Sequence, residues 1–191
     1  MCHTRSMVWL LFITSYLWGS IPYGKLFCLL GGTDIQKRGS GNIGFANVQR
    51  TMGWKYSVPT LVCDILKGAV AAYVGLHFGE SIIVGFTAGY CALLGHVSSP
   101  WLKFRGGKGI ATGLGVAGVL SLPSACLAGL VFFSLRAFRV RASHASLAGC
   151  AIVVCGLIVT YPTYWWMGAL LGLTAVVTLR HNIKGTVPNY G

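Results

Sequence analysis

The sequence is poor in charge, and negative charge is almost absent. Only 9% of the 191 residues are charged, whereas soluble domains carry about 25%. Mean hydropathy is +0.69, and the acidic residues are Asp34, Asp64 and Glu80. These values exclude an ordinary soluble domain and predict an integral membrane protein. Because carboxylates are so few, they also offer no ligand set for a metal ion.

Several enzyme signatures are missing as well. None of the histidines is followed by aspartate five positions on, and no G-x-S-x-G is present. The first absence excludes the linear motif of a histidine–aspartate acyltransferase, and the second leaves a serine hydrolase without support. The seven cysteines lie scattered in apolar segments without C-x-x-C spacing, which favours small buried side chains over disulfides or a metal site. We therefore expect no cofactor.

Long apolar runs fill the sequence from end to end. Charge and Gly/Pro clusters divide them into predicted helices at residues 7–30, 56–79, 81–97, 109–121, 123–138, 145–160 and 163–180. The middle helices, from 81–97 to 145–160, are shorter than the ~20 residues of a full span, so we expect tilted, kinked or partly re-entrant segments. The predicted fold is one all-α polytopic membrane domain over residues 1–191, with about seven transmembrane helices.

Positive charge is concentrated in loops. Twelve of the fifteen basic residues lie in or beside the segments 31–55, 98–108, 139–144 and 181–191. Seven crossings put these segments on one side of the membrane, and the positive-inside rule makes that side cytoplasmic. Membrane topology thus explains the excess of basic residues, and binding to nucleic acid is not needed to explain it. We expect any chemistry to take place on the cytoplasmic face.

The most distinctive segment is a basic, glycine-rich loop within residues 95–112. Gly106, Gly107 and Gly109 surround Lys108, so that backbone N–H groups can approach a ligand closely, and a helix N-terminus follows at once. Such a loop suits phosphate, although it does not match a nucleotide-binding P-loop. The alternative is a tight turn at the membrane surface with basic anchors.

A second loop, residues 34–51, is rich in small polar side chains. Its hydroxyl and amide groups can hydrogen-bond an oxyanion, its glycines free the backbone, and Arg50 can bind phosphate through two parallel hydrogen bonds. The other candidate residues in it are Gly39, Ser40, Gly41, Asn42 and Asn47. The alternative is a solvated loop that caps a helix and whose basic residues serve topology only.

Other polar groups lie in or beside the predicted helices. Asp64 and Lys67 are three residues apart and share a helical face, and we favour a structural ion pair there over a functional one. His96 borders the Lys108 loop and is a candidate base or phosphate donor, or else a satisfied interfacial histidine. His181 and Asn182 follow the last helix and either complete a phosphate pocket or belong to an ordinary cationic helix end.

Four motifs in order carry a family resemblance. They are Gly19-Ser20-Ile21-Pro22-Tyr23-Gly24, the loop from Gly39 to Arg50, Asp64-Ile65-Leu66-Lys67-Gly68, and the stretch from Gly95 to Thr112. With these motifs, the chain resembles the bacterial acyl-phosphate-dependent glycerol-3-phosphate acyltransferases, which are integral inner-membrane enzymes of phospholipid synthesis.

This resemblance implies transfer of a fatty acyl group from acyl phosphate to the 1-hydroxyl of glycerol 3-phosphate, giving lysophosphatidic acid and phosphate. By matching position, Ser40 and Arg50 would hold phosphate, and Lys108 would bind or neutralise phosphoryl oxygens. Supporting contacts would come from Asn42, Thr112 and Asn182. Both substrates carry phosphate, which accounts for anion-binding loops in place of a nucleophile. Membrane lipids are the other expected partners.

The chain departs from the family pattern at several places. Phe45-Ala46 stands where the family has Ala-Thr, Leu179 where it has histidine, and Val187 where it has glutamate. A divergent inactive paralogue is therefore one alternative function. A membrane transporter of an anionic metabolite is another, although the basic groups cluster on one face and not at the midplane.

Overall fold

In a computed structural model, the regular structure of the described residues, 2–184, is helical, with side chains described for residues 6–178. The helices are α1 (Cys2–Gly19), α2 (Tyr23–Leu30), α3 (Phe45–Met52), α4 (Trp54–Gly79), α5 (Ile82–Val97), α6 (Ile110–Leu120), α7 (Leu122–Ala137), α8 (Ala142–Thr160) and α9 (Trp165–Lys184). Single 3-10 turns lie at Ile35–Lys37, Pro100–Leu102 and Pro162–Tyr164. The all-α prediction is confirmed.

Three apolar segments are long enough to cross a bilayer within the described residues. They are Trp54–Gly79, Ile82–Leu102 and Ala142–Thr160, and the apolar helices Ile110–Leu120 and Leu122–Ala137 are shorter. From residue 56 onward, the predicted boundaries lie within four residues of the observed ones. The number of seven crossings stays a prediction.

The predicted first helix, 7–30, is wrong, because the chain breaks between α1 and α2 at Ser20–Pro22. Proline lacks the N–H that a helix needs and disfavours helical geometry in the residue before it. The break is held by the α5–α6 connection: Ser99 Oγ donates to the Ser20 carbonyl at 2.6 Å, and Trp101 Nε1 donates to Ser20 Oγ at 2.9 Å. The sequence 19–24 is thus a packing motif.

The predicted loop 31–55 contains a helix, α3. Asn42 Oδ1 accepts from the Gly44 N–H at 2.8 Å just before α3 begins. Ile35, Ile43 and Val48 are buried in a small apolar cluster that also includes Cys28 and Leu102. This cluster anchors the loop against α2. The helix has only eight residues, and its buried ones are Asn47 and Val48, so it carries little periodic signal.

The helices form two groups with a cavity between them. α4 packs against α1, α2, α3, α5 and α6, while α7 packs on α8 and α8 on α9. α6 joins the groups through α7 and α8, and the hydroxyls of Tyr90 on α5 and Thr174 on α9 lie 2.8 Å apart. The cavity has a volume of about 950 Å³ and is lined by residues of both groups.

Candidate active site

Loops that are far apart in the sequence meet at this cavity. Its walls include half of the fourteen predicted site residues: Ser40, Asn42, Asn47, Arg50, His96, Lys108 and Gly109. Its apolar wall is built by Phe45, Leu93, Leu114, Phe132, Phe133 and Leu171. The predicted residues Gly39, Gly41, Gly106, Gly107 and Thr112 are not among the lining residues. The side chains of His181 and Asn182 lie outside the described residues.

Asn47 organises the first loop. Its side chain is 2% exposed. Its Oδ1 accepts from the Ser40 N–H at 2.9 Å, and its Nδ2 donates to the carbonyls of Arg38 at 3.0 Å and Asn42 at 2.8 Å. Arg50 Nη2 donates to the same Oδ1 at 3.2 Å. Asn47 therefore fixes the loop around Ser40 and orients Arg50, and most of its hydrogen-bonding capacity is used within the protein.

Gly39 and Gly41 shape this loop from behind the cavity. Gly39 has φ +57° and Gly41 has φ +69°, in the left-handed region that favours glycine. A Cβ atom on Gly39 would also clash with Asn47 Oδ1. The geometry thus explains these glycines by the turn that brings Ser40 to the cavity wall.

The glycine-rich loop packs tightly on α5. The N–H groups of Gly106 and Gly107 donate to the carbonyls of Val97 and His96, each at 3.0 Å. A Cβ atom on Gly107 would clash with the His96 ring. These N–H groups are used within the protein, which differs from the expectation that they approach a ligand. Gly109, with φ +77°, lines the cavity and leads directly into α6.

Lys108 lies at the cavity wall, partly buried. Its carbonyl accepts from Thr178 Oγ1 on α9 at 3.0 Å, which ties the loop to the second helix group. Burial lowers the pKa of Lys108 below its ordinary value, and the positive charge of Arg50 lowers this pKa further. A lysine whose charge is disfavoured by a nearby guanidinium forms with it a site that an anion would stabilise.

A buried polar network lies beneath this wall. Asp64 and Lys67 form the predicted ion pair, with Oδ1 and Nζ 2.8 Å apart, and Lys67 also donates to the Ile21 carbonyl at 3.2 Å. His96 joins them, since its Nδ1 lies 3.5 Å from Asp64 Oδ1, although without hydrogen-bond geometry. No linear motif indicates that this histidine and this aspartate are neighbours, because they lie on different helices.

Thr112 is fully buried on α6. A Cβ atom on Gly68 of α4 would clash with its carbonyl, so the two helices approach closely there. Its Oγ1 makes no hydrogen bond to any residue that the structure describes. Thr112 therefore lies at the α4–α6 contact behind the cavity.

Sequence reasoning missed the contribution of the α7–α8 connection. Arg136, Arg139, Arg141, Ser143 and Ser146 also line the cavity. The basic residues are visible in the sequence. Because their loop lacks the glycines that mark the other two loops, the sequence pattern indicates only a role in membrane topology. Nothing in the sequence pattern distinguishes a loop that faces a cavity from one that only anchors the chain at a membrane surface.

Phe45 and Ala46, which stand where the family pattern has Ala-Thr, also line the cavity. The Phe45 ring lies 6.2 Å from that of Phe133 on α7 and 6.0 Å from that of Trp54 on α4, measured between ring centroids. Phe45 therefore bridges from the first helix group to the second, where a family residue of smaller size would leave space.

Known proteins resemble the chain over nearly its whole length. A family model described as glycerol-3-phosphate acyltransferase matches residues 9–188. A glycerol-3-phosphate acyltransferase of Bartonella quintana is 37% identical over 91% of this chain and 84% of its own length. One of Geotalea daltonii is 38% identical over 91% of each chain.

Two solved structures share the fold. Both are described as crystal structures of PlsY (YgiH), an integral membrane glycerol 3-phosphate acyltransferase, one in a glycerol 3-phosphate form and one in a lysophosphatidic acid form. The first has a TM-score of 0.85 at 32% identity and covers 97% of this chain and 96% of its own. The second has a TM-score of 0.84 at 32% identity, with coverages of 93% and 90%. These likenesses extend the all-α prediction to a multi-pass membrane fold.

Proposed function

The chain belongs to the glycerol-3-phosphate acyltransferase family, and from this premise we propose that it transfers a fatty acyl group from acyl phosphate to the 1-hydroxyl of glycerol 3-phosphate. The products are lysophosphatidic acid and inorganic phosphate. The names of the related structures support both the acceptor and the lipid product. The acyl-phosphate donor follows from the likeness to PlsY.

One observation carries this proposal: a single cavity combines cations with an apolar wall. Lys108 and Arg50 face a volume of about 950 Å³ that Leu93, Leu114 and Leu171 also line. Phosphate groups need the first kind of surface, and a fatty acyl chain needs the second. A site for a small anion alone would have no use for the apolar wall.

The proposed chemistry is direct acyl transfer. The 1-hydroxyl oxygen of glycerol 3-phosphate attacks the acyl carbonyl carbon, a new ester C–O bond forms, and the bond from that carbon to the phosphate oxygen breaks with its electron pair on phosphate. Lys108 and Arg50 stabilise the charge on phosphoryl oxygens, and Ser40 donates a hydrogen bond. No acyl-enzyme intermediate is required, so no side-chain nucleophile is needed.

The hydroxyl proton has two acceptors in this scheme. His96 lines the cavity, and its Nδ1 lies 3.5 Å from Asp64 Oδ1. A phosphate oxygen of the substrate is the other acceptor. In either case Asn42, Asn47 and Gly109 support the anion-binding wall. Thr112 and Asn182 remain proposed contributors by matching position, and His181 by its place in the segment that follows the last predicted helix.

We further propose that the protein lies in the bacterial inner membrane with this cavity open to the cytoplasm. The basic residues that line the cavity lie in or beside the three basic loops that the positive-inside rule assigns to that side. Glycerol 3-phosphate is water-soluble, so an acceptor site on the cytoplasmic face gives it direct access.

The test is acyl transfer by the detergent-purified chain. Palmitoyl phosphate and radiolabelled glycerol 3-phosphate are the substrates, and palmitoyl-CoA is the parallel donor. Radiolabelled lysophosphatidic acid from palmitoyl phosphate alone is expected. Absence of product with either donor, from a folded sample, would contradict the proposal and favour an inactive paralogue or an anion transporter.

A further inference from the structure

Three arginines of the α7–α8 connection form a second basic surface in the cavity. Arg136 lies in the last turn of α7, Arg139 lies in the connection, and Arg141 directly precedes α8. All of them line the cavity. They belong to the second helix group, whereas Arg50 and Lys108 belong to the first. The cavity therefore has cations from both helix groups.

These arginines have no carboxylate partner in the part of the chain that the structure describes. Asp34 lies 4.0 Å from Lys25, and Asp64 is paired with Lys67. Glu80 follows α4, at the opposite end of that helix from Lys55. An uncompensated group of guanidinium ions at a cavity wall attracts an anion from solution.

The turn that presents the arginines is well defined. Arg136 Nη1 donates to the Val140 carbonyl at 2.6 Å, which closes the turn, and Arg139 has a left-handed φ of +60°. The first turn of the 19-residue helix α8 follows, and Ser143 in it faces the cavity. Ser146, one turn further on, is 9% exposed and lines the cavity. Serine hydroxyls thus accompany the arginine charges.

This surface comes from other elements than the Lys108–Arg50 pair. Arg50 lies on α3 and Lys108 in the loop before α6, whereas the three arginines lie at the end of α7 and between α7 and α8. Two groups of cations in one cavity can hold two anions at once, each near its own cations, and so bring the two bound molecules together.

We propose that Arg139 and Arg141, with Ser143 and Ser146, form a second phosphoryl subsite that holds the phosphate monoester of one substrate while Lys108 and Arg50 hold that of the other. This inference rests on the proposed function, which requires two phosphate-bearing substrates in one site. Arg136 closes the turn, so it acts as a positioning residue.

The first experiment measures binding without turnover. Equilibrium dialysis of radiolabelled inorganic phosphate against the full chain, in zwitterionic detergent, is expected to give two sites per chain. The variants Arg139→Gln/Arg141→Gln and Lys108→Ala are each expected to leave one. Two phosphate-binding sites in the arginine variant would overturn the proposed subsite. So would a single phosphate-binding site in the wild type that only Lys108→Ala removes. This readout does not depend on acyl transfer, so it separates the subsite from the proposed reaction.

The second experiment measures the KM of each substrate. For Arg139→Gln/Arg141→Gln, the KM of one phosphate-bearing substrate is expected to rise about tenfold or more, as for the loss of a charge-assisted hydrogen bond, with the other KM little changed. The control is Lys37→Gln/Lys103→Gln, which removes two exposed charges outside the cavity. An equal effect in the control would overturn the proposal.

The phosphate of a lipid headgroup has the same chemistry as the phosphate of a substrate. A comparison of two membrane compositions distinguishes these two ligands. The kinetics are repeated in phosphatidylcholine nanodiscs and in nanodiscs containing phosphatidylglycerol. A raised KM in both membranes supports a substrate subsite. A defect confined to the anionic membrane would assign the arginines to headgroup binding and overturn the proposal.

Discussion

A single buried amide holds the loop that carries Ser40 and Arg50. Asn47→Ala would remove the acceptor of the Ser40 N–H and one donor each to the carbonyls of Arg38 and Asn42, and a buried polar group that loses its partner costs about 1–3 kcal/mol. We expect a lower apparent Tm and a KM for phosphate-bearing substrates raised about tenfold, since roughly 1.4 kcal/mol of lost binding has that effect. Thr51→Ala on the same helix is the control, because its hydroxyl bonds only its own helix. Equal behaviour of the two variants would show that Asn47 has no special role.

Lys108 and Arg50 are the residues on which the proposed chemistry depends most. Lys108→Ala and Arg50→Ala each remove a cation from the cavity wall, and neither residue belongs to the buried apolar clusters, so the fold should persist. We expect each to lower the rate of acyl transfer by about a hundredfold or more, as the loss of a transition-state donor does. Initial rates and the thermal melting of each variant check this, with Lys103→Ala as an exposed control. Near-wild-type rates in both variants would contradict the phosphate site.

The lowered pKa of Lys108 has a consequence for the pH profile. Phosphate binding needs the protonated amine, so activity is lost as pH rises through this pKa, which lies below the ordinary 10.5 because of burial and the charge of Arg50. In Lys108→Arg the guanidinium stays charged, so this alkaline decline should disappear even if the rate is lower. Rate–pH profiles of the two proteins are the measurement. An alkaline decline at the same pH in both would assign it to another group.

At the scale of the helices, α4 carries a buried ion pair whose role is testable. Asp64→Asn leaves Lys67 fully buried without its counter-charge, which typically costs about 3–5 kcal/mol. Asp64→Asn/Lys67→Met removes both charges and should recover most of that stability. Melting temperature and acyl transfer are measured together. If the double variant regains stability and activity, the pair is structural; stability without activity would indicate that Asp64 acts through His96.

The helices differ in how well the sequence predicted them. α4 to α9 were predicted because each is a long apolar run bounded by charge or Gly/Pro, which is a strong local signal. The break between α1 and α2 was missed because the apolar run continues through Pro22, and the interruption is stabilised by Ser99 and Trp101, about eighty residues away. α3 was missed because it is short and its buried residues follow from a tertiary cluster.

The candidate site was predicted in part for a similar reason. Ser40, Arg50 and Lys108 have side chains whose chemistry can be named from the sequence, and they do line one cavity. Gly106 and Gly107 were expected at the ligand, but their N–H groups bond α5, a contact that no local pattern encodes. The arginines of the α7–α8 connection were visible as charge, and only the packing of α7 and α8 shows that they face the same space.

For the whole molecule, the basic loops border one cavity between the two helix groups, so they must lie on the same side of the membrane. Lys37, Lys55 and Lys103 are exposed on those loops, while Glu80 follows α4 at its far end. A membrane-impermeant amine reagent should therefore modify these lysines in sealed inverted vesicles and not in spheroplasts, with sites located by mass spectrometry. Glu80→Lys adds an amine that should react from the opposite side.

The two ways in which this labelling can fail mean different things. If Lys37 and Lys103 reacted from opposite sides, their loops could not both border one cavity, and the shared phosphate site would be excluded. If all three lysines reacted only from outside, the fold would stand but the cavity would open away from the cytoplasm. Glycerol 3-phosphate would then lack direct access to Lys108. The side of the membrane on which the basic loops lie therefore decides whether the proposed reaction can take place in the cell.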